Sequence, residues 1–183
     1  MYVTQSPKIG NMDYVRLVIQ SELSRSERAA MQDDVDIGIL IGLAWESFVR
    51  ELHVDLAQRG FEDAGTSYGY VLRSLADRQL SISELAALLG VTSQAVTRLI
   101  NEMSANGYTE RRLDSRDARV SSVALTAKGR SALAAARRFH GRFERSLVKR
   151  HGPDDVITLR AVLTSAVEAS PGGPAGRRAI RPF

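Results

Sequence analysis

The stretch from Leu80 to Gly129, LSISELAALLGVTSQAVTRLINEMSANGYTERRLDSRDARVSSVALTAKG, constrains this chain more than any other part of it. Ser81 and Glu84 have the S-x-x-E spacing of a capping box, in which each side chain satisfies a backbone N–H at the start of a helix. Leu85, Leu88 and Leu89 then supply an apolar face, and Gly90 gives the backbone freedom to end the helix. Thr92 is placed to cap a second helix, leaving one or two residues between the two. Two short helices joined that tightly make a helix-turn-helix. Asn106-Gly107 turns the chain after the second helix, and 108–113 and 120–126 alternate as two antiparallel strands around a charged tip.

The second helix divides by face. Val96, Leu99, Ile100 and Met103 fall at i, i+3, i+4 and i+7 and form an apolar stripe. Gln94, Thr97, Arg98 and Asn101 repeat that spacing on another side, with Ser93 at the helix start and Glu102 off to one edge. A polar stripe on an amphipathic helix is most often solvated surface. Every member of this one can donate a hydrogen bond and none is acidic, and amides, hydroxyls and guanidinium groups are what pair with base edges in the major groove. Ser93, Gln94, Thr97, Arg98 and Asn101 are therefore the candidate base-reading residues.

The hairpin tip is Asp114-Ser115-Arg116-Asp117-Ala118-Arg119. Asp117 and Arg119 are two apart, which in an extended segment puts them on one side. One reading is a surface ion pair worth about 0–1 kcal/mol. The other is a wing in which Asp117 holds Arg119 in one rotamer, so that Arg119, with Arg116 nearby, meets a narrow A·T-rich minor groove.

In this order and spacing, Glu84-Leu85-Ala86, Gly90-Val91-Thr92, Val96-Thr97-Arg98, Gly107, Arg111-Arg112, Asp117-x-Arg119 and Leu125-Thr126-x-x-Gly129 resemble the MarR family of transcriptional regulators. Ala118 departs from the pattern, since the family often has a second basic residue there; a weaker wing contact is implied. The resemblance is carried by residues 80–130 and is architectural elsewhere. It implies a mainly α fold with a small β-wing, in which a winged helix-turn-helix lobe is joined to long N- and C-terminal helices that form a dimerisation region. It further implies a homodimer on double-stranded DNA at a pseudo-palindromic operator, most simply as a ligand-responsive repressor.

The remaining sequence is organised around that lobe. Residues 1–30 read as an N-terminal extension with an accessory helix from Asn11, and 31–170 as the main domain. Within it the winged helix-turn-helix covers about 64–130, and the flanking helices 31–60 and 127–170 are the expected dimerisation elements. In the first of these, Ile37, Ile41, Ala44, Trp45, Phe48, Leu52 and Leu56 form a stripe. Gly38 and Gly42 permit another backbone to come close, from this chain or from a second copy. A helix over 67–76 should turn Tyr70, Val71 and Leu75 inward. By resemblance, a small-molecule pocket lies between this helix, the long helix and the lobe. Trp45, Tyr68 and Arg73 are its candidate walls and cation, suited to a small aromatic or anionic effector; plain core is the alternative for the aromatics. Thr126 begins the next long helix, His151-Gly152 ends it, and Pro153 opens a final one with Val156, Leu159, Val162, Leu163 and Val167 as its inner face. Residues 171–183 are Pro/Gly-rich and basic, and are expected to be a disordered tail.

The net charge of +4 is compatible with a polyanionic partner without demanding one. Its distribution says more: residues 31–60 carry −4 and residues 127–150 carry +7, so an acidic and a basic segment have the means to pair within the fold. There are no cysteines, which removes disulfides, thiol redox sensing and thiolate metal sites. His53, His140 and His151 have no metal-ligand spacing, and no phosphate loop or nucleophile elbow is present. No enzyme activity, cofactor or metal is expected. The first thirty residues lack the apolar segment of a secretory signal and no apolar run reaches membrane length, so a cytoplasmic protein without membrane contact is expected. Two alternatives remain beside the regulator: a sequence-indifferent nucleic-acid-binding module, and a protein-interaction module built on the winged helix.

Overall fold

The computed structural model describes residues 35–113 and 121–169. The accessory helix expected before residue 31, the wing tip with Arg116, Asp117 and Arg119, and the basic tail from 171 lie outside the described residues. The described chain is α1 (Ile37–Ala57), α2 (Tyr68–Ser74), β1 (Leu80–Ser81), α3 (Ile82–Leu89), α4 (Ser93–Ala105), β2 (Thr109–Leu113), β3 (Ser121–Leu125), α5 (Ala127–His151) and α6 (Pro153–Glu168). Compactness divides it into residues 1–48 and 49–183, with the boundary inside α1.

The local chemistry of the helix ends is as the sequence reads. Ser81 Oγ accepts from Glu84 N at 3.2 Å, and Glu84 Oε2 accepts from Ser81 N at 2.7 Å, closing the capping box of α3. Those bonds to Ser81 hold the Glu84 carboxyl below the usual range. Gly90 ends α3 in the left-handed region at φ 66°, where a side chain would be strained. Thr92 and Thr126 cap α4 and α5 through bonds from Ala95 N and Gly129 N. Three residues, Gly90 to Thr92, separate α3 from α4, one more than expected, because the αL residue and the cap each need a place outside the helices.

The sheet is antiparallel in the order β1-β3-β2, so it has three strands where two were expected. β1 has only Leu80 and Ser81, paired with Val123 and Ser122, and is too short to show alternation. β2 and β3 pair from Thr109 opposite Leu125 to Leu113 opposite Ser121.

The core of the 49–183 unit is built by α2, α3, α4, the sheet and the start of α5. Tyr68, Val71, Leu85, Val96, Ile100, Met103, Tyr108 and Val123 are essentially sealed from solvent. Each large side chain buried there favours folding by about 1.5–3 kcal/mol. The α3 face differs from expectation: Leu85, Ala86 and Leu89 are buried, whereas Leu88 is 45% exposed. The helix is rotated so that the i, i+1, i+4 edge meets the core, which the apolar composition of both edges conceals. In α2 Val71 and Leu75 are buried as expected, and Tyr70 is half-buried against the core.

The first half of α1 and all of α6 present apolar surface, whereas Phe48 and Leu52 of α1 are half-buried and Leu56 is buried. On α1, Ile37, Ile41 and Trp45 are exposed, and a Cβ at Gly38 or Gly42 would meet nothing within 4 Å. On α6, expected to have an inner face, no residue is buried; Leu159, Val162, Leu163 and Val167 all lie open. One acid–base pairing between the two charged segments does form, where Arg142 on α5 reaches Asp55 at the end of α1, beside the Arg59–Asp55 pair at 2.9 Å. The bond from Arg59, with Arg142 adding to it, holds the Asp55 carboxyl below its usual value despite partial desolvation.

Candidate nucleic-acid interface

Helix α4 is fixed from behind and open in front. Its rear stripe, Val96, Ile100 and Met103, is at most 1% exposed, with Leu99 partly buried beside it. On the other side Ser93, Gln94, Arg98 and Asn101 are exposed. Thr97 is half-buried and donates its hydroxyl proton to Ser93 O at 2.8 Å, which leaves its oxygen lone pairs and methyl group for an outside contact. The expected stripe therefore stands on one exposed helix face, Thr97 at its edge. Asn101 is not wholly free: its Oδ1 accepts from Arg111 Nη2 on β2 at 3.1 Å.

The C-terminal end of α4 is held by a chain of polar contacts that local sequence reasoning missed. Tyr68 donates to Glu102 Oε1 at 2.9 Å and accepts from Asn106 Nδ2 at 2.9 Å. Burial first, and then the Glu102 carboxylate, pushes the Tyr68 phenol up to about 12, so it stays a donor. Tyr108, with its ring edge-on to Tyr68 at 5.3 Å, donates to Asp63. Burial and that carboxylate push its phenol above the ordinary tyrosine value. Lys128 completes the arrangement with bonds of 2.9 Å to Asp63 Oδ2 and to Asn106 O, its ammonium 4.4 Å from the Tyr108 ring centre. Lys128 and Tyr108 in turn hold the Asp63 carboxyl below its usual range. The partners are 22 to 65 residues apart along the chain, which is why no spacing rule finds them.

Gly129 seats α5 against the hairpin. A Cβ there would stand 2.1 Å from Tyr108 O. That carbonyl also accepts from Thr126 N at 3.1 Å. Only glycine lets the first turn of α5 approach β2 this closely.

The three pocket candidates have different surroundings. Trp45 is 47% exposed and stacks on Phe48 with ring centres 6.0 Å apart. Tyr68 is 1% exposed, with its hydroxyl bonded as donor and acceptor, so a ligand would have to displace a core side chain to cover its ring. Arg73 is exposed, and its charge adds to burial in depressing the basicity of His140. Among the described residues no group of three His, Cys, Asp or Glu is placed to hold a metal ion, and no helix is long and apolar enough to cross a membrane.

The sequence profile of the MarR family matches residues 65–120, the segment that contains α2, the helix-turn-helix and the first wing strand. Over that segment the chain is similar to the MarR family. A cysteine-to-serine mutant of MarR from E. coli, solved with operator DNA, is 25% identical with a TM-score of 0.58, over 74% of this chain and 96% of that one. The MepR–DNA complex of S. aureus, at 21% identity and a TM-score of 0.59, covers 72% of this chain and 96% of that chain, and shares the fold. Among curated proteins, the exopolysaccharide II synthesis transcriptional activator ExpG of Rhizobium meliloti is 28% identical over 104 residues. That match spans 57% of this chain and about half (53%) of the activator's length.

Proposed function

We propose that this protein is a MarR-type DNA-binding transcriptional regulator that reads a pseudo-palindromic operator as a homodimer. The observation that supports this best is the division of α4 between a buried rear stripe and an exposed front of Gln94, Arg98 and Asn101, with Ser93 and Thr97 completing it. A helix braced in that way can enter a major groove without rearranging its lobe. In this reading Arg98 and Asn101 meet base edges, while Arg116 and Arg119 at the wing reach the flanking minor groove, Asp117 holding Arg119. Dimerisation is supported by the apolar surface of α6, where Ile157, Leu159, Val162, Leu163 and Val167 are 41–64% exposed in the single chain.

Repression is the simplest outcome, since a dimer seated on a promoter blocks it. The similarity to an activator keeps activation open as the alternative direction of control. Titration of the purified protein on the duplex upstream of its own gene, against unrelated duplex across several salt concentrations, tests the reading. Specific recognition gives a preferred duplex at every salt. Equal affinities that fall together with salt would instead mark a sequence-indifferent binder. Absence of binding to any duplex would favour a protein-interaction module.

A further inference from the structure

Strand β2 faces the recognition helix with two polar rungs. Thr109 is the one buried polar residue among the described residues, at 2% exposed, and shares a hydrogen bond of 2.9 Å with Ser104 of α4. Two residues along the strand and three back along the helix, Arg111 donates from Nη2 to Asn101 Oδ1 at 3.1 Å. Thr109 and Arg111 share a strand face because the strand repeats every two residues. Ser104 and Asn101 share a helix face because residues three apart are neighbours. Their neighbours on the strand, Glu110 and Arg112, point the other way and pair with each other. The rungs are thus a consequence of register, and the inner rung is shielded while the outer one reaches the exposed front of α4.

The outer rung has a chemical consequence for reading. A free asparagine recognises adenine with both ends of its amide, the oxygen accepting from N6 and the nitrogen donating to N7. In this structure the oxygen of Asn101 is directed to Arg111, and the end left without a partner among the described residues is the NH2 donor. We propose that Arg111 is a specificity-positioning residue: it orients the Asn101 amide so that Asn101 presents a donor to base acceptors, such as guanine O6 and N7 or thymine O4, instead of the two-ended adenine pattern. The proposal rests on the DNA-reading function proposed above. Arg111 acts through Asn101 and needs no base contact of its own.

The test is a base-preference profile, obtained by selecting duplexes from a random pool and then titrating every single-base variant of the selected site. The parent, Asn101→Ala, Arg111→Ala, Arg111→Lys and the double alanine variant are compared, with circular dichroism melting to show that each is folded. The expected result is that Asn101→Ala and Arg111→Ala lose about tenfold preference at the same base pair, and that the double variant loses no more than either alone. Arg111→Lys keeps the charge but not the planar fork; it should retain most of the overall affinity while losing that preference. A general loss of affinity with the preference intact would make Arg111 a phosphate anchor and overturn the inference, as would additive losses at different base pairs. An adenine preference at the Asn101 position in the parent would also overturn it. If the parent itself selects no duplex, the DNA-reading function fails and this inference with it.

Discussion

Replacing Gly129 by alanine adds one methyl group at the most crowded backbone contact among the described glycines. The new Cβ would sit 2.1 Å from Tyr108 O and 3.1 Å from its carbonyl carbon, far inside ordinary contact distance. Nothing flexible can yield, because the opposing atoms are backbone, so α5 must move away from β2. Such overpacking costs about 1–3 kcal/mol. The shift also weakens the bond from Thr126 N to the same carbonyl, at 3.1 Å, worth about 1 kcal/mol. Against this stands the helix propensity of alanine, at most about 1 kcal/mol over glycine and less in a first turn. The net expectation is a destabilisation of about 2–4 kcal/mol, a large fraction of the stability of an ordinary domain. Gly141, later in the same helix, is the control: a Cβ there meets only the end of the Arg145 side chain at 3.4 Å. Gly141→Ala should therefore stabilise by about 0.5–1 kcal/mol. Equilibrium urea unfolding of both variants, followed by circular dichroism, measures the two signs in one assay. A Gly129→Ala protein as stable as the parent would refute the close approach of α5 to the hairpin.

Arg98→Ala should cost about 1–3 kcal/mol on a preferred operator and flatten discrimination among operator variants, whereas Arg119→Ala should weaken all duplexes more evenly; titration on a panel of duplexes separates the two. Asp117→Ala should weaken operator binding although it removes a negative charge, if Asp117 holds Arg119 as proposed; binding at matched salt that equals or exceeds the parent's would end the clamp idea. Asp63 has its carboxyl held below the usual 3.8 by Lys128 and then Tyr108, so its contribution to stability is present above that value and lost as the pH falls through the lowered native one. Asp63→Asn should accordingly lose stability near neutral pH and show a shallower decline in acid than the parent, as read from urea midpoints at a series of pH values.

What was legible in the sequence was the chemistry that acts over a few residues. Ser81 with Glu84, Thr92, Thr126, Gly90 and Pro153 mark helix ends because a cap or a left-handed turn demands particular side chains at fixed offsets. The apolar stripe of α4 was legible because its opposite face is wholly polar, which leaves one rotation of the helix. On α3 both flanks are apolar, so composition could not choose between Leu88 and Ala86 for the core, and packing chose Ala86. β1 was missed because two residues carry no periodicity. The braces on α4, from Asp63, Tyr68 and Lys128 at one end and Arg111 along its side, join residues between 10 and 65 positions apart. They depend on how the elements meet, and Tyr68, whose hydroxyl bonds Glu102 and Asn106, belongs to one of them. The stripes of α1 and α6 are recognisable as apolar, but Ile37, Ile41 and Trp45 of α1 and Leu159, Val162, Leu163 and Val167 of α6 lie exposed in the single chain.

Protection of guanine N7 from dimethyl sulfate on a selected duplex tests the central claim most directly, because that atom lies on the floor of the major groove. The protein should protect two groups of guanines separated by about one helical turn, roughly 34–36 Å. Arg98→Ala should lose protection within those groups while still retarding the duplex at low salt. Unaltered N7 reactivity throughout a fully bound, guanine-containing site would contradict a recognition helix seated in the major groove.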